Sequence, residues 1–267
     1  MQSHEVDYTI NGDDIQYVEI ELDPQEVVMA EPGSMMYMKE EIAMETVFGD
    51  GSHQSDNSFL GKMFSAGKRV LTGENLFMTA YKNQGYGKSH VSFAAPMPGK
   101  IIPIDLRAYQ NKVICQKDSF LCAAKGVQVG IEFNRKIGVG LFGGEGFIMQ
   151  KLEGDGMVFA NAGGTIKKMQ LRQEQTLKVD TGCLVAFTGG VQYDIEMVKG
   201  IKNALFGGEG LFLATLRGPG TVWIQSLPFS RMADRIISSA PKMGGKSRGE
   251  GSILGGLGDI VMGDNNF

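Results

Sequence analysis

The chain has 267 residues, 42% of them hydrophobic and 21% charged, with a net charge of −4. That is enough apolar material for a substantial core and too little net charge for a disordered chain, and the acidic balance weighs against a nucleic-acid partner. No run of about 18 apolar residues occurs, so no transmembrane helix is expected, while the 38 glycines signal the many tight turns of an all-β protein.

Met1 to Thr9 is polar, with Glu5 and Asp7 and no lysine or arginine. It reads as neither a signal nor a transit peptide, and a cytoplasmic protein is the expectation. Val18, Ile20 and Leu22 then alternate with Glu19, Glu21 and Asp23, the period of a half-buried strand. A polar, turn-rich stretch follows at 49–58. Ile102, Ile104 and Leu106 alternate with Pro103, Asp105 and Arg107, and Val127, Val129, Ile131 and Phe133 repeat the pattern. Phe147 to Leu152 and Met157 to Ala160 read as strands across a glycine turn. Met169 and Leu171, then Val191, Tyr193, Ile195 and Met197, continue the series, and Thr221-Val222-Trp223-Ile224 reads as a core strand.

The chain also repeats itself. Leu141-Phe142-Gly143-Gly144-Glu145-Gly146-Phe147 returns 64 residues later as Leu205-Phe206-Gly207-Gly208-Glu209-Gly210-Leu211. Gly126-Val127-Gln128 and Ile131-Glu132 return in the same register at Gly190-Val191-Gln192 and Ile195-Glu196. A weaker copy, Gly73-Glu74-Asn75-Leu76-Phe77, lies upstream, and the small turns Pro32-Gly33-Ser34, Lys117-Asp118-Ser119 and Thr181-Gly182-Cys183 open the three copies. These spacings predict three β modules of sandwich or barrel type at 10–98, 99–163 and 164–228, the first with an insertion near 49–58. A unit of about 65 residues is marginal alone, so its faces should be covered by its neighbours. The unpaired edges at the two ends of the array predict head-to-tail closure with other copies of the chain.

Phe229, Met232, Ala233, Ile236, Ile237 and Ala240 have helical spacing between Pro228 and Pro241, which predicts an amphipathic helix over 229–240. Residues 241–267 are glycine-rich and read as a flexible tail.

The Gly-Glu blocks and Ser226-Leu227-Pro228-Phe229-Ser230-Arg231-Met232-Ala233-Asp234-Arg235-Ile236 resemble a bacterial family related to the fungal altered-inheritance-of-mitochondria proteins. The resemblance implies a fold similar to the tryptophan RNA-binding attenuation protein. That fold has three double-stranded β-helix modules per chain, and three chains would close a pseudo-ninefold ring. It implies no catalytic residues.

Residue chemistry points the same way. Glu74, Glu145 and Glu209 occur one per module, beside Gly73, Gly144 and Gly208, so they read as structural acceptors in glycine turns rather than as a catalytic pair. Lys68, Arg69, Arg135, Lys136, Lys199 and Lys202 precede these motifs and are candidates for an anion-binding band. His4, His53 and His90 are far apart and read as surface residues, and Cys115, Cys122 and Cys183 as buried free thiols. Gly138-x-Gly140-x-x-Gly143 matches a dinucleotide fingerprint by letters but lies between strands, where no helix receives the phosphates. No catalytic, cofactor or metal set is legible. The expected function is a non-enzymatic ring-forming scaffold or binding protein with a protein or membrane-surface partner. An RNA- or anion-binding ring and an enzyme with an inter-module site are the alternatives.

Overall fold

A computed structural model describes residues 3–48, 77–135, 147–197 and 212–239. These contain nineteen strands and one α-helix. In chain order the first seven strands are β1 (Asp7–Asn11), β2 (Tyr17–Leu22), β3 (Val27–Ala30), β4 (Met35–Met38), β5 (Ile42–Phe48), β6 (Phe77–Asn83) and β7 (Ser89–Ala94). Next come β8 (Gly99–Asp105), β9 (Lys112–Gln116), β10 (Phe120–Ala124), β11 (Gln128–Arg135), β12 (Phe147–Glu153) and β13 (Met157–Gly163). The last six are β14 (Ile166–Leu171), β15 (Thr176–Asp180), β16 (Leu184–Thr188), β17 (Gln192–Met197), β18 (Phe212–Arg217) and β19 (Gly220–Gln225), followed by α1 (Phe229–Ser239). The chain divides into a compact unit over Met1–Asp234 and a second stretch, Arg235–Phe267.

The strands form four sheets, ordered β1-β2-β7-β4, β5-β6-β3-β10-β13-β8, β11-β12-β9-β16-β19-β14 and β15-β18-β17. Strand β2 shows why alternation predicts an element: Val18, Ile20 and Leu22 are fully buried while Glu19 and Glu21 face outward. Strands β10 and β16 do not alternate. All five residues of each (Phe-Leu-Cys-Ala-Ala and Leu-Val-Ala-Phe-Thr) are buried, because each lies in mid-sheet with apolar side chains packed on both faces. Strands β12 and β13, adjacent in sequence across a glycine turn, do not pair. They enter different sheets, β12 against β11 and β9, β13 against β10 and β8.

Strand β1 lies in the N-terminal segment that reads as featureless polar sequence. It pairs with β2 from Asp7 opposite Glu21 to Asn11 opposite Tyr17. As an outer strand it is largely exposed and its side chains carry no burial period, although Tyr8 meets the Phe159 ring edge-on at 4.8 Å and Ile10 packs on the core. Ahead of it, Ser3 N–H donates to Asp155 Oδ1 at 2.7 Å and His4 N–H to the Lys125 carbonyl at 2.8 Å.

The buried apolar residues fall into three clusters. The largest fully buried side chains among them are Phe93, Phe147, Phe159 and Phe187. Trp223 is buried in β19, as its apolar setting predicts, with the Tyr109 ring edge-on at 5.3 Å.

Candidate functional site

The sequence-selected site residues fall almost entirely outside the described residues. This holds for Gly73, Glu74, Gly144, Glu145, Gly208, Glu209, Lys68, Arg69, Lys136, Lys199, Lys202 and also His53. Arg135 ends β11 opposite Phe147. What the structure does show is the framework around them. The three Gly-Glu motifs lie in the segments that link β5 to β6, β11 to β12 and β17 to β18, each an antiparallel pair. The pairs end at Phe48 opposite Phe77, Arg135 opposite Phe147 and Met197 opposite Phe212.

The three cysteines and two of the three histidines are visible. Cys115 and Cys122 are buried and Cys183 is half-buried, and burial pushes all three thiols up. Their low thiolate content makes them poor nucleophiles. His4 corrects the surface reading: it is half-buried, and its Nδ1 accepts the Val27 N–H at 3.0 Å. A histidine in a polar terminal segment looks solvated until that segment docks. Burial, with Lys125 and Lys82 nearby, holds its pKa below 6.5. His90 is also engaged, its Nε2 lying 3.2 Å from Glu21.

Two of the sheet edges, those of β4 and β15, stand out. Three strands take the same place in a recurring pattern of pairing. Strand β4 sets Met35 opposite Phe93, then, after a bulge, Tyr37 opposite Ser92 and Met38 opposite Val91. Strand β10 sets Phe120 opposite Ala160, then, after a bulge, Cys122 opposite Phe159 and Ala123 opposite Val158. Strand β16 sets Leu184 opposite Ile224, then, after a bulge, Ala186 opposite Trp223 and Phe187 opposite Val222. A bulge at one place in three ladders is a shared structural device.

The other edges of β10 and β16 are paired as well. Cys122, Ala123 and Ala124 face Ala30, Met29 and Val28 of β3. Ala186, Phe187 and Thr188 face Cys115, Ile114 and Val113 of β9. Strand β4 has no such neighbour among the described residues, and neither does β15, which takes the place of β3 and β9 at the other end of the series. Burial follows the pairing. Leu121, Cys122 and Ala123 are at most 1% exposed, as are Val185, Ala186 and Phe187, whereas Met36, Tyr37 and Met38 are 56%, 37% and 37% exposed.

The surroundings of the two edges differ in charge. On the outer face beside β4, Tyr37 donates its hydroxyl to Glu19, and Glu21 pairs with Lys88 and His90. The Lys88 hydrogen bond holds the Glu21 carboxyl below its ordinary value. Lys178 is exposed on β15, and Asp180 at its end accepts Arg231 at 3.0 Å and the Gly182 N–H at 2.9 Å.

Among the described residues these features define an all-β protein with a C-terminal amphipathic helix, in which β4 and β15 lack the neighbour that their counterparts have. The chain belongs to the family described as Mitochondrial biogenesis AIM24, which it matches over residues 8–227. It is 34% identical over 228 residues to an uncharacterized protein of Streptococcus pyogenes serotype M6, a match covering 84% of this chain and 86% of the other. The fold is shared with a Streptococcus pyogenes protein solved by X-ray crystallography, at a TM-score of 0.66 and 24% identity, over 88% of this chain and 100% of that one. No helix among the described residues is long and apolar enough to cross a membrane.

Proposed function

We propose that the protein is a non-enzymatic scaffold. In this reading three tandem modules, similar to the tryptophan RNA-binding attenuation protein and bounded at 10–98, 99–163 and 164–228, close into a ring with two further copies of the chain. One observation carries it. The core cluster built on the first module is completed by Leu121, Cys122 and Phe159 from the second. The cluster built on the second is completed by Val185, Ala186 and Trp223 from the third. The cluster built on the third takes Ile114, Phe147 and Met149 from the second and has no equivalent donor on its far side among the described residues. By register the equivalents are Met36, Tyr37 and Ser92, and two of those three are exposed apolar residues at the open β4 edge.

Joining β15 of one copy to β4 of the next supplies the missing donors and repeats the internal joints. The same register sets Val179 opposite Tyr37, Lys178 opposite Met38 and Leu177 opposite Lys39. Charge favours this pairing over head-to-head contact: residues 1–98 carry 15 acids and 6 bases, residues 164–228 carry 5 acids and 7 bases. A heterologous contact of this kind gives a ring if the rotation closes. In this reading the ring has three chains and nine modules, the number the family resemblance suggests.

The test is a paired cysteine variant, Tyr37→Cys with Val179→Cys, oxidised and run on a non-reducing gel beside each single variant. Facing residues of an antiparallel pair lie within disulfide reach. The double variant should give a covalent trimer that dithiothreitol dissolves, and the single variants should give none. Absence of the cross-link, or a stable monomer by light scattering at micromolar concentration, overturns the reading.

A further inference from the structure

Strands β2, β8 and β14 hold equivalent places. Each runs antiparallel to a neighbour on one side, with Ile20 opposite Val91, Ile104 opposite Val158 and Met169 opposite Val222. Each turns its other edge outward, and the fold treats the three edges differently. On β2 the edge is filled by β1, with Thr9 opposite Glu19. On β8 the preceding loop sits against it. Gln16 N–H donates to the Gly99 carbonyl at 3.0 Å, Gln16 Oε1 accepts the Ile101 N–H at 2.9 Å, and Lys100 Nζ donates to the Asp13 carbonyl at 2.7 Å. Gly99 and Ile101 therefore point outward. So does the next residue in that phase, Pro103, which has no N–H to offer. On β14 the edge has neither cover nor proline among the described residues. Thr165 exchanges hydrogen bonds with Ser226 on the β19 side, at 2.8 and 3.0 Å. Ile166, Lys168 and Gln170, in the opposite phase, thus direct their N–H and C=O groups outward.

The charge along this edge is of one sign. Residues 165–172 include Lys167, Lys168 and Arg172 and no acid. Lys167 and Lys168 are exposed and form no ion pair with a described residue. Lys168 is held in place, its Nζ donating to the Tyr109 hydroxyl at 3.0 Å and standing 5.6 Å from the centre of the Trp223 ring.

We infer that β14 is a docking edge for an extended, acidic segment of a partner protein. The segment adds as one more antiparallel strand to the six-stranded sheet, as β1 adds to β2. The register of β1 sets Thr9 and Ile10 opposite Glu19 and Val18, whose equivalents on β14 are Lys168 and Lys167. Two consecutive acids in the segment would then meet the two lysines, one on each face of the sheet. The backbone ladder selects a polypeptide over any other polyanion, because only a peptide edge alternates donors and acceptors at the matching spacing. The lysines select against a second copy of β14, which would bring like charges together. The inference does not depend on the ring, which uses β4 and β15.

The experiment is fluorescence polarisation of a labelled peptide, Ser-Thr-Val-Glu-Glu-Val-Thr-Ser, and of its Lys-Lys counterpart, titrated with the full chain. The wild type should bind the acidic peptide about 10-fold or more tightly than the basic one. Lys168→Ala removes one charge and should lower the affinity about 3-fold. Lys168→Pro repeats what β8 carries at this place and also removes the outward N–H, so it should lower the affinity about 5-fold further. Amide hydrogen exchange gives a second reading. In the chain alone, Lys168 and Gln170 should exchange faster than Lys167 and Met169, whose N–H groups face β19, and the acidic peptide should slow the first pair about 10-fold or more. Equal binding of the two peptides, no binding of either, or equal affinity of Lys168→Pro and Lys168→Ala overturns the inference. Lys168 and Gln170 amides already protected in the chain alone also overturn it, since the edge is then filled by the chain itself or by a copy. If circular dichroism shows that Lys168→Pro does not fold, the exchange measurement on the wild type decides. The Tyr37–Val179 cross-link reads the ring separately, so the two proposals fail independently.

Discussion

Replacing Met36 and Met38 by glutamate puts the energy of the proposed joint to a direct test. The two methionines are 56% and 37% exposed, whereas Leu121 and Ala123, their equivalents at an internal joint, are at most 1% exposed. Full burial of a methionine side chain contributes about 1.5–3 kcal/mol. Covering the exposed fractions of the pair therefore contributes about 1.4–2.8 kcal/mol per joint. Losing that term weakens each joint by about 10- to 100-fold, and a glutamate forced into the joint adds its own desolvation cost. The assay is sedimentation velocity over a dilution series, with circular dichroism to confirm folding. The wild type should hold its assembled mass to lower concentrations than the double variant. Met44→Glu is the control: Met44 is 54% exposed but lies on β5, away from the joint. The reasoning fails if the double variant keeps the wild-type mass throughout, or if Met44→Glu dissociates the protein equally.

Three further outcomes follow from the described contacts. His4→Gln should lower stability by about 1 kcal/mol, since the Val27 N–H loses a positioned acceptor. The folded-state pKa of His4 lies below 6.5, so the unfolded chain binds more protons; its contribution is full above pH 6.5 and is lost as pH falls through the depressed value. Melting temperatures of wild type and His4→Gln measured from pH 8 to 5 should converge on the acid side, and a constant gap would refute the assignment. Phe187→Ala should cost about 3–5 kcal/mol in urea unfolding, because the ring is 1% exposed and leaves a cavity between sheets; a loss under about 1 kcal/mol would mean the site collapses freely. Gly163→Ala should cost at least about 2 kcal/mol, because its new Cβ would stand 1.9 Å from the Leu227 carbonyl oxygen, which a backbone cannot yield cheaply. A thermal midpoint unchanged from wild type would contradict that close approach.

Much of the fold was legible because period two is a local property. Val18, Ile20 and Leu22 announce β2, Ile102 and Ile104 announce β8, and the switch to helical spacing after Pro228 announces α1. Strand β1 was not legible, since its side chains show no alternating burial and its backbone pairing to β2 leaves no mark on the letters. The role of His4 was hidden for a related reason: its neighbours Val27, Lys82 and Lys125 are distant in sequence. The Gly-Glu motifs and the basic residues beside them drew notice because they repeat, but the segments that carry them lie outside the described residues.

The sequence by itself determined the element class of its alternating stretches and of the helix, the 64-residue register and the family resemblance. Each of these rests on nearest neighbours or on letters repeated along one chain. Only the tertiary structure decided which strand meets which, because a strand's side chains record which face is buried and not which partner holds its edge. That is why Met35–Met38 could not be told from Phe120–Ala124 by composition, and yet one lies open at a sheet edge while the other is sealed inside a sheet.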